Sequence, residues 1–229
     1  MAFSRSILRP ILALSFVAGA LVASPRDAAA ADPVPVEPFR DKTWKGVSDA
    51  MVFSSFGLAL AMPRIYSAND ETTEGWKARW HVSALAPLMT LSTLTLLNHV
   101  YFKDTLKGDR PGCDDTNRGL VPQCADYGAP SSHSFIATSL FAHGTTMFLV
   151  DTFTWSHGKV NAASVVGNVG VPFVLGVLTL AGRGAGEYET GGQIVAGATA
   201  GLAAGILTGL TYAMFQRPDC GYSSGLICW

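Results

Sequence analysis

Long apolar runs separated by short polar loops set the pattern of this chain. Four runs carry no Asp, Glu, Lys or Arg: His81 to Phe102, Ser131 to Val150, Asn161 to Gly182 and Thr190 to Phe215. Each is as long as the roughly 20 residues a helix needs to cross a bilayer. A shorter uncharged run, Ala50 to Pro63, predicts a helix over about 44–63. No stretch alternates apolar and polar residues over a useful length, so strands are not expected. The predicted fold is all-α: a helical bundle of about five long helices after an N-terminal signal, embedded in a membrane.

The segments outside the bundle are distinguishable by composition. Arg5 and Arg9, the apolar core from Ile11 to Ala23 and the small residues Ala28 to Ala31 read as an export signal over 1–31. An uncleaved first helix is the alternative. Residues 32–43 are Pro-rich and charged, as in an extended linker. The bundle is expected over 44–215, and 216–229 is a polar, Cys-containing tail. Within the bundle, Pro87 is expected to kink its helix if it lies in the interior. Gly197, Gly201, Gly205 and Gly209 recur every fourth residue, which puts them on one face as a groove for a closely packed helix.

Composition sharpens the membrane reading. Apolar residues make up 48% of the chain and charged residues 14%, against about 25% charged in ordinary soluble domains. A net charge of −1 leaves no overall basic field, so nucleic acid is not an expected partner. The four cysteines, Cys113, Cys124, Cys220 and Cys228, lie outside the apolar runs, and their even number suits two disulfides in an exported chain. The simplest pairing is Cys113 with Cys124 and Cys220 with Cys228. No CxxC pair is present, and no cofactor or metal is called for.

The candidate chemistry lies between the second and third helices. From Lys103 to Phe135 the sequence reads KDTLKGDRPGCDDTNRGLVPQCADYGAPSSHSF. Lys103 and Arg110 stand seven apart with Pro111 behind, and that proline disfavours helix at Arg110. Ser131-Ser132-His133 then opens a helix whose free N–H groups and dipole favour an anion. The order of the helices returns Arg183 to the same side of the bundle, where three cations and a helix N-terminus would converge on phosphate. His81, His99, His143 and His157 lack the close spacing of a metal pair and are expected to be core or interface residues.

The K-x6-R-P motif at Lys103 to Pro111, the P-S-x-H motif at Pro130 to His133 and a later Arg183 resemble the type-2 phosphatidic acid phosphatase and vanadium haloperoxidase superfamily. The resemblance runs from about 80 to 212. It implies that Lys103, Arg110 and Arg183 bind phosphate, that Ser131 and the backbone around Ser132 add hydrogen bonds, and that His133 is the general acid. Ser132 stands where the family has Gly.

The third motif departs further. The family has Ser-Arg, five intervening residues, His, three more intervening residues and Asp. This chain has Gly182-Arg183, Glu189 at the nucleophile position and Gln193 in place of the orienting Asp. Glu189 either forms an acyl phosphate or pairs with Arg183 and fills the anion site itself. Two functions follow from the resemblance. The first is a membrane-associated hydrolase of lipid phosphates or polyprenyl pyrophosphates in a bacterial-type envelope, either in the inner membrane with its site facing the periplasm or wholly periplasmic. The second is a catalytically inactive phosphate-binding or scaffold protein. A haloperoxidase is disfavoured, because the vanadate-bonding His of that family is the residue replaced.

Overall fold

The computed structural model describes residues 41–61, 85–116, 124–155, 158, 160 and 162–215. The expected signal, most of the expected linker, His81, His157, Cys220, Cys228 and the tail lie outside these residues. Among the described residues every regular element is helical: α1 (Lys42–Ala61), α2 (Ala86–Leu97), α3 (Lys103–Leu106), α4 (Ser132–Val150), α5 (Ala162–Val165), α6 (Val171–Ala185) and α7 (Gly191–Phe215). Three π-helical turns join or extend them. Asn98–Phe102 links α2 to α3, Asp151–Trp155 prolongs α4, and Val166–Gly170 links α5 to α6. The result is five rods, as the apolar pattern predicts.

Two local expectations change. The first rod begins at Lys42, so the end of the expected linker is helical. Pro87 falls in the first turn of α2, not in its interior. There its fixed φ suits the helix.

α4 is the central rod, with 15 of its 19 residues buried. Its closest neighbour is α7, and α6, α1 and α2 complete the surround. The glycine face of α7 explains the close approach. A Cβ at Gly197 would collide with the Ser131 carbonyl, at Gly201 with Thr138 and the Phe135 carbonyl, and at Gly205 with the Ser139 carbonyl. The helix that fills the groove predicted from the four-residue spacing is therefore α4. Polar atoms close the seam: Thr138 Oγ1 donates to Ala198 O at 3.0 Å, and Ser131 N–H donates to Gln193 O at 3.1 Å.

α1 lies against α6 by a similar device. Gly182 on α6 has no room for a Cβ, which would sit 2.9 Å from Trp44 O and 3.0 Å from Ser48 Cβ. Ser48 Oγ donates to Thr179 O at 3.2 Å across the same contact. Apolar clusters complete the core: Ala59, Leu88, Leu91 and Leu140 join α1, α2 and α4, while Met147, Val150 and Ala213 join α4 to α7.

The outer faces are apolar as well. Met89, Leu96, Leu97, Val100, Phe102, Phe173, Val174 and Leu207 are all exposed large side chains. The rods Ala162–Ala185 and Gly191–Ala213 are long and apolar enough to cross a membrane.

The α4–α7 seam generates a stability prediction. Gly205→Leu puts a branched side chain against the Ser139 carbonyl and Ala142 Cβ. It is expected to cost about 1–3 kcal/mol or more, as overpacking does. A fall in the thermal unfolding midpoint of the purified protein checks this; an unchanged midpoint would contradict the packing described.

Candidate functional site

The phosphate-site candidates gather at one end of the bundle, each positioned by an identifiable local cause. Lys103 follows the π-helical turn, where its N–H donates to Asn98 O. One extra residue in a helical turn rotates everything after it, and π-turns are frequent at functional sites. Here the rotation leaves Tyr101 and Phe102 exposed and Lys103 buried. Asn98 is itself buried and donates through Nδ2 to Ser132 Oγ at 3.4 Å, tying this rod to the start of α4.

Lys107 ends α3 in the left-handed conformation (φ 47°), and the chain turns into the cationic loop. Arg110 donates from Nε to Asp126 O at 3.1 Å and from Nη1 to Tyr188 O at 3.5 Å. Cys113 and Cys124 are bonded to each other and close the loop between those contacts.

Gln193 pins the loop from the other side. Its Nε2 donates to Gly108 O at 3.3 Å and to Asp109 O at 2.6 Å. Its Oε1 accepts from Thr190 N–H at 2.9 Å while Thr190 Oγ1 accepts from Gln193 N–H at 3.3 Å. That reciprocal pair is a capping box at the start of α7. Gln193 therefore does structural work at the position where the sequence comparison expects an orienting Asp, and the T-x-x-Q spacing before an apolar run is a signal that identifies it.

At the head of α4, Ser131 is fully buried in extended conformation (φ −63°, ψ 116°) and its Oγ accepts from Ser134 N–H at 3.1 Å. Ser131 thus caps the helix with its side chain. The first-turn N–H groups of Ser132 and His133 lie outside the intrahelical ladder, as the geometry of a helix start requires.

Arg183 occupies the last turn of α6 and is 3% exposed. Its Nη2 donates to Glu189 Oε1 at 3.0 Å, its Nη1 lies 3.9 Å from Asp49 Oδ1, and its guanidinium stacks 5.3 Å from the Tyr188 ring centroid. Glu189 is equally buried. Among the described residues Arg183 Nε and Glu189 Oε2 have no hydrogen-bond partner. Of the two roles the sequence leaves open for Glu189, the pairing with Arg183 is the contact observed.

Asp49 on α1 is the member that sequence reasoning missed. His133 Nε2 lies 2.8 Å from Asp49 Oδ1, and Lys45 Nζ lies 2.6 Å from Oδ2. A carboxylate can only accept, so His133 Nε2 carries the proton. In sequence, Lys45 and Asp49 read as an ordinary exposed i,i+4 pair. The available signal was only that Asp49 is the last charge before an apolar run.

The remaining histidines separate. His143 is 1% exposed, with Nδ1 3.3 Å from Thr208 Oγ1 and its ring edge-on to Tyr212, as a core histidine should be. His99 is exposed on the π-helical turn and so is not a core histidine of the described bundle.

The family-model comparison matches the PAP2 superfamily over residues 82–217. The chain belongs to the PAP2 superfamily. No curated protein and no solved structure matches it. The PAP2 match takes in α2 through α7, and with them Lys103, Arg110, Ser131, His133, Arg183 and Glu189. Asp49 and the rest of α1 lie outside it.

The charges act on one another across the PAP2 site. Burial is the main cause that pulls the Lys103 ammonium down to about 8, with Arg110 and Arg183 adding to it and Glu189 and Asp126 opposing. Burial likewise lowers Arg110, with Glu189 raising and Arg183 lowering it. A bound dianion favours charged Lys103, so affinity is expected to be level below about pH 8 and to fall as pH rises through it. Titration with sulfate, whose charge is constant from pH 6 to 10, checks this, and Lys103→Met should flatten the profile. A level wild-type profile up to pH 10 would contradict the burial of a titrating Lys103.

Proposed function

We propose that this PAP2 protein binds the phosphate of a lipid phosphate or polyprenyl pyrophosphate at a membrane of the cell envelope and hydrolyses it. The observation that carries the reading is the convergence of Lys103, Arg110 and Arg183 beside the N-terminus of α4. In this reading the two buried cations and Arg110 neutralise phosphoryl oxygens, and the N–H groups at Ser132 and His133 add directional donors. Ser131 holds that turn in shape. His133 is the ionisable group of the helix start, within reach of a bound phosphoester. Family membership supports phosphate-ester chemistry in general. The apolar outer faces of α2, α6 and α7 support a lipid-facing bundle, in which a substrate with a hydrocarbon tail reaches the site without leaving the bilayer.

A second reading, phosphate binding without turnover, is favoured by one contact. Glu189 stands at the position of the family's nucleophile, yet its carboxylate is drawn onto Arg183. A carboxylate committed there repels an incoming phosphate and is a poor attacking group.

Phosphate release from phosphatidic acid and from a polyprenyl pyrophosphate by the purified protein separates the two. Hydrolysis predicts release that Arg110→Ala and His133→Ala each lower by on the order of 100-fold or more. Saturable binding of the same lipids, with release no greater than in those variants, would leave the binding reading standing alone.

A further inference from the structure

The PAP2 third motif works through an imidazole backed by a carboxylate, and in this chain that motif supplies neither. Glu189 replaces the imidazole, and Gln193 is committed to the α7 cap and to the carbonyls of Gly108 and Asp109. An imidazole–carboxylate pair nevertheless exists at the site. It is built from His133 on α4 and Asp49 on α1, 2.8 Å apart, with Arg183 Nη1 3.9 Å from the same carboxylate oxygen.

The third departure from the family pattern shows how this pair is accommodated. Gly182 stands where the resemblance expects Ser, and it is a point of close approach between α1 and α6. Any Cβ there would meet Trp44 O and Ser48 Cβ. Ser48 immediately precedes Asp49. Absence of a side chain at 182 therefore lets α1 come close enough to deliver Asp49 to the site. The three departures within the third motif, at 182, 189 and 193, become parts of one rearrangement.

We propose that His133 is the nucleophile of this site and Asp49 its positioning residue. This rests on the hydrolytic reading above. Asp49 fixes the ring through Nε2–H and leaves Nδ1 as the nitrogen with a lone pair, the arrangement a histidine nucleophile requires. In the first step the Nδ1 lone pair forms an N–P bond while the P–O bond to the leaving group breaks, and the leaving oxygen takes a proton from water if it is an alkoxide. In the second step water attacks phosphorus, the N–P electrons return to Nδ1, and the water proton passes to solvent. Glu189 is not the attacking group. It neutralises buried Arg183 until phosphate arrives.

Quenching the full-length protein during turnover of 32P-labelled phosphatidic acid tests this. The label is expected to be alkali-stable, as a phosphoramidate is and an acyl phosphate is not, and to map to His133 by peptide mass spectrometry. Asp49→Asn should lower kcat by on the order of 100-fold, move the His133 15N imidazole resonances and leave sulfate affinity within about threefold. Gly182→Ser should weaken the same 15N signature by pushing α1 outward. Label on Glu189, turnover with no protein-bound phosphate, or an Asp49→Asn enzyme with wild-type kcat would each overturn the proposal while hydrolysis stands. No phosphate release by the wild type would instead overturn the hydrolytic reading, and the proposal with it.

Discussion

A guanidinium withdrawn from water must be matched by negative charge, and Arg183 is the place where this chain faces that requirement. Stranding one unmatched charge in a protein interior costs several kcal/mol. Arg183 meets Glu189 at 3.0 Å and Asp49 at 3.9 Å, and it lies against the Tyr188 ring. Those contacts draw α1, the end of α6 and the turn before α7 to a common point. The pairing is also incomplete, since Arg183 Nε and Glu189 Oε2 keep unused hydrogen-bonding capacity in a buried setting. In the proposed reading, that unused capacity lets the site exchange an internal carboxylate for a phosphoryl oxygen.

The surrounding scaffold makes that exchange possible by holding backbone close to backbone. Where α7 carries glycine, α4 approaches until its carbonyls occupy the space a Cβ would need. The seam extends along the bundle, so its top end, where Ser131 N–H meets Gln193 O, is fixed by contacts far below it. A phosphate site at a helix N-terminus depends on the direction of a few N–H groups. Fixing α4 against α7 over several turns fixes those directions, with Ser131 the one candidate site residue that takes part.

The sequence made the five rods legible because the apolar runs are long, uncharged and bounded by polar loops. It also named Lys103, Arg110, His133 and Arg183, which helix order brings to the same end of the bundle. It did not reveal the π-helical turn at Asn98–Phe102, because a one-residue change of helical register leaves no trace in an apolar run. Asp49 was hidden for a different reason. Its nearest charged residue in sequence is Lys45, and an i,i+4 pair on a helix surface is the ordinary explanation of both. Only the tertiary approach of α1 to α6 at Gly182 turns one carboxylate oxygen toward His133 while the other keeps Lys45.

Gln193 shows how a departure from a family pattern can be read physically. Taken alone, loss of the orienting carboxylate argues for a site that has decayed. Yet the glutamine side chain makes three hydrogen bonds: it accepts from Thr190 N–H, which an aspartate, one methylene shorter, would reach less well, and it donates to Gly108 O and Asp109 O, which a carboxylate cannot do. It closes the capping box of α7 and fastens the loop that carries Arg110. A decayed position would be expected to lose contacts, whereas this one ties two segments of the site together. The cations are held where they are partly by the residue whose substitution makes the third motif look deficient. Gln193 thus holds in place the loop cation on which the proposed phosphate binding depends.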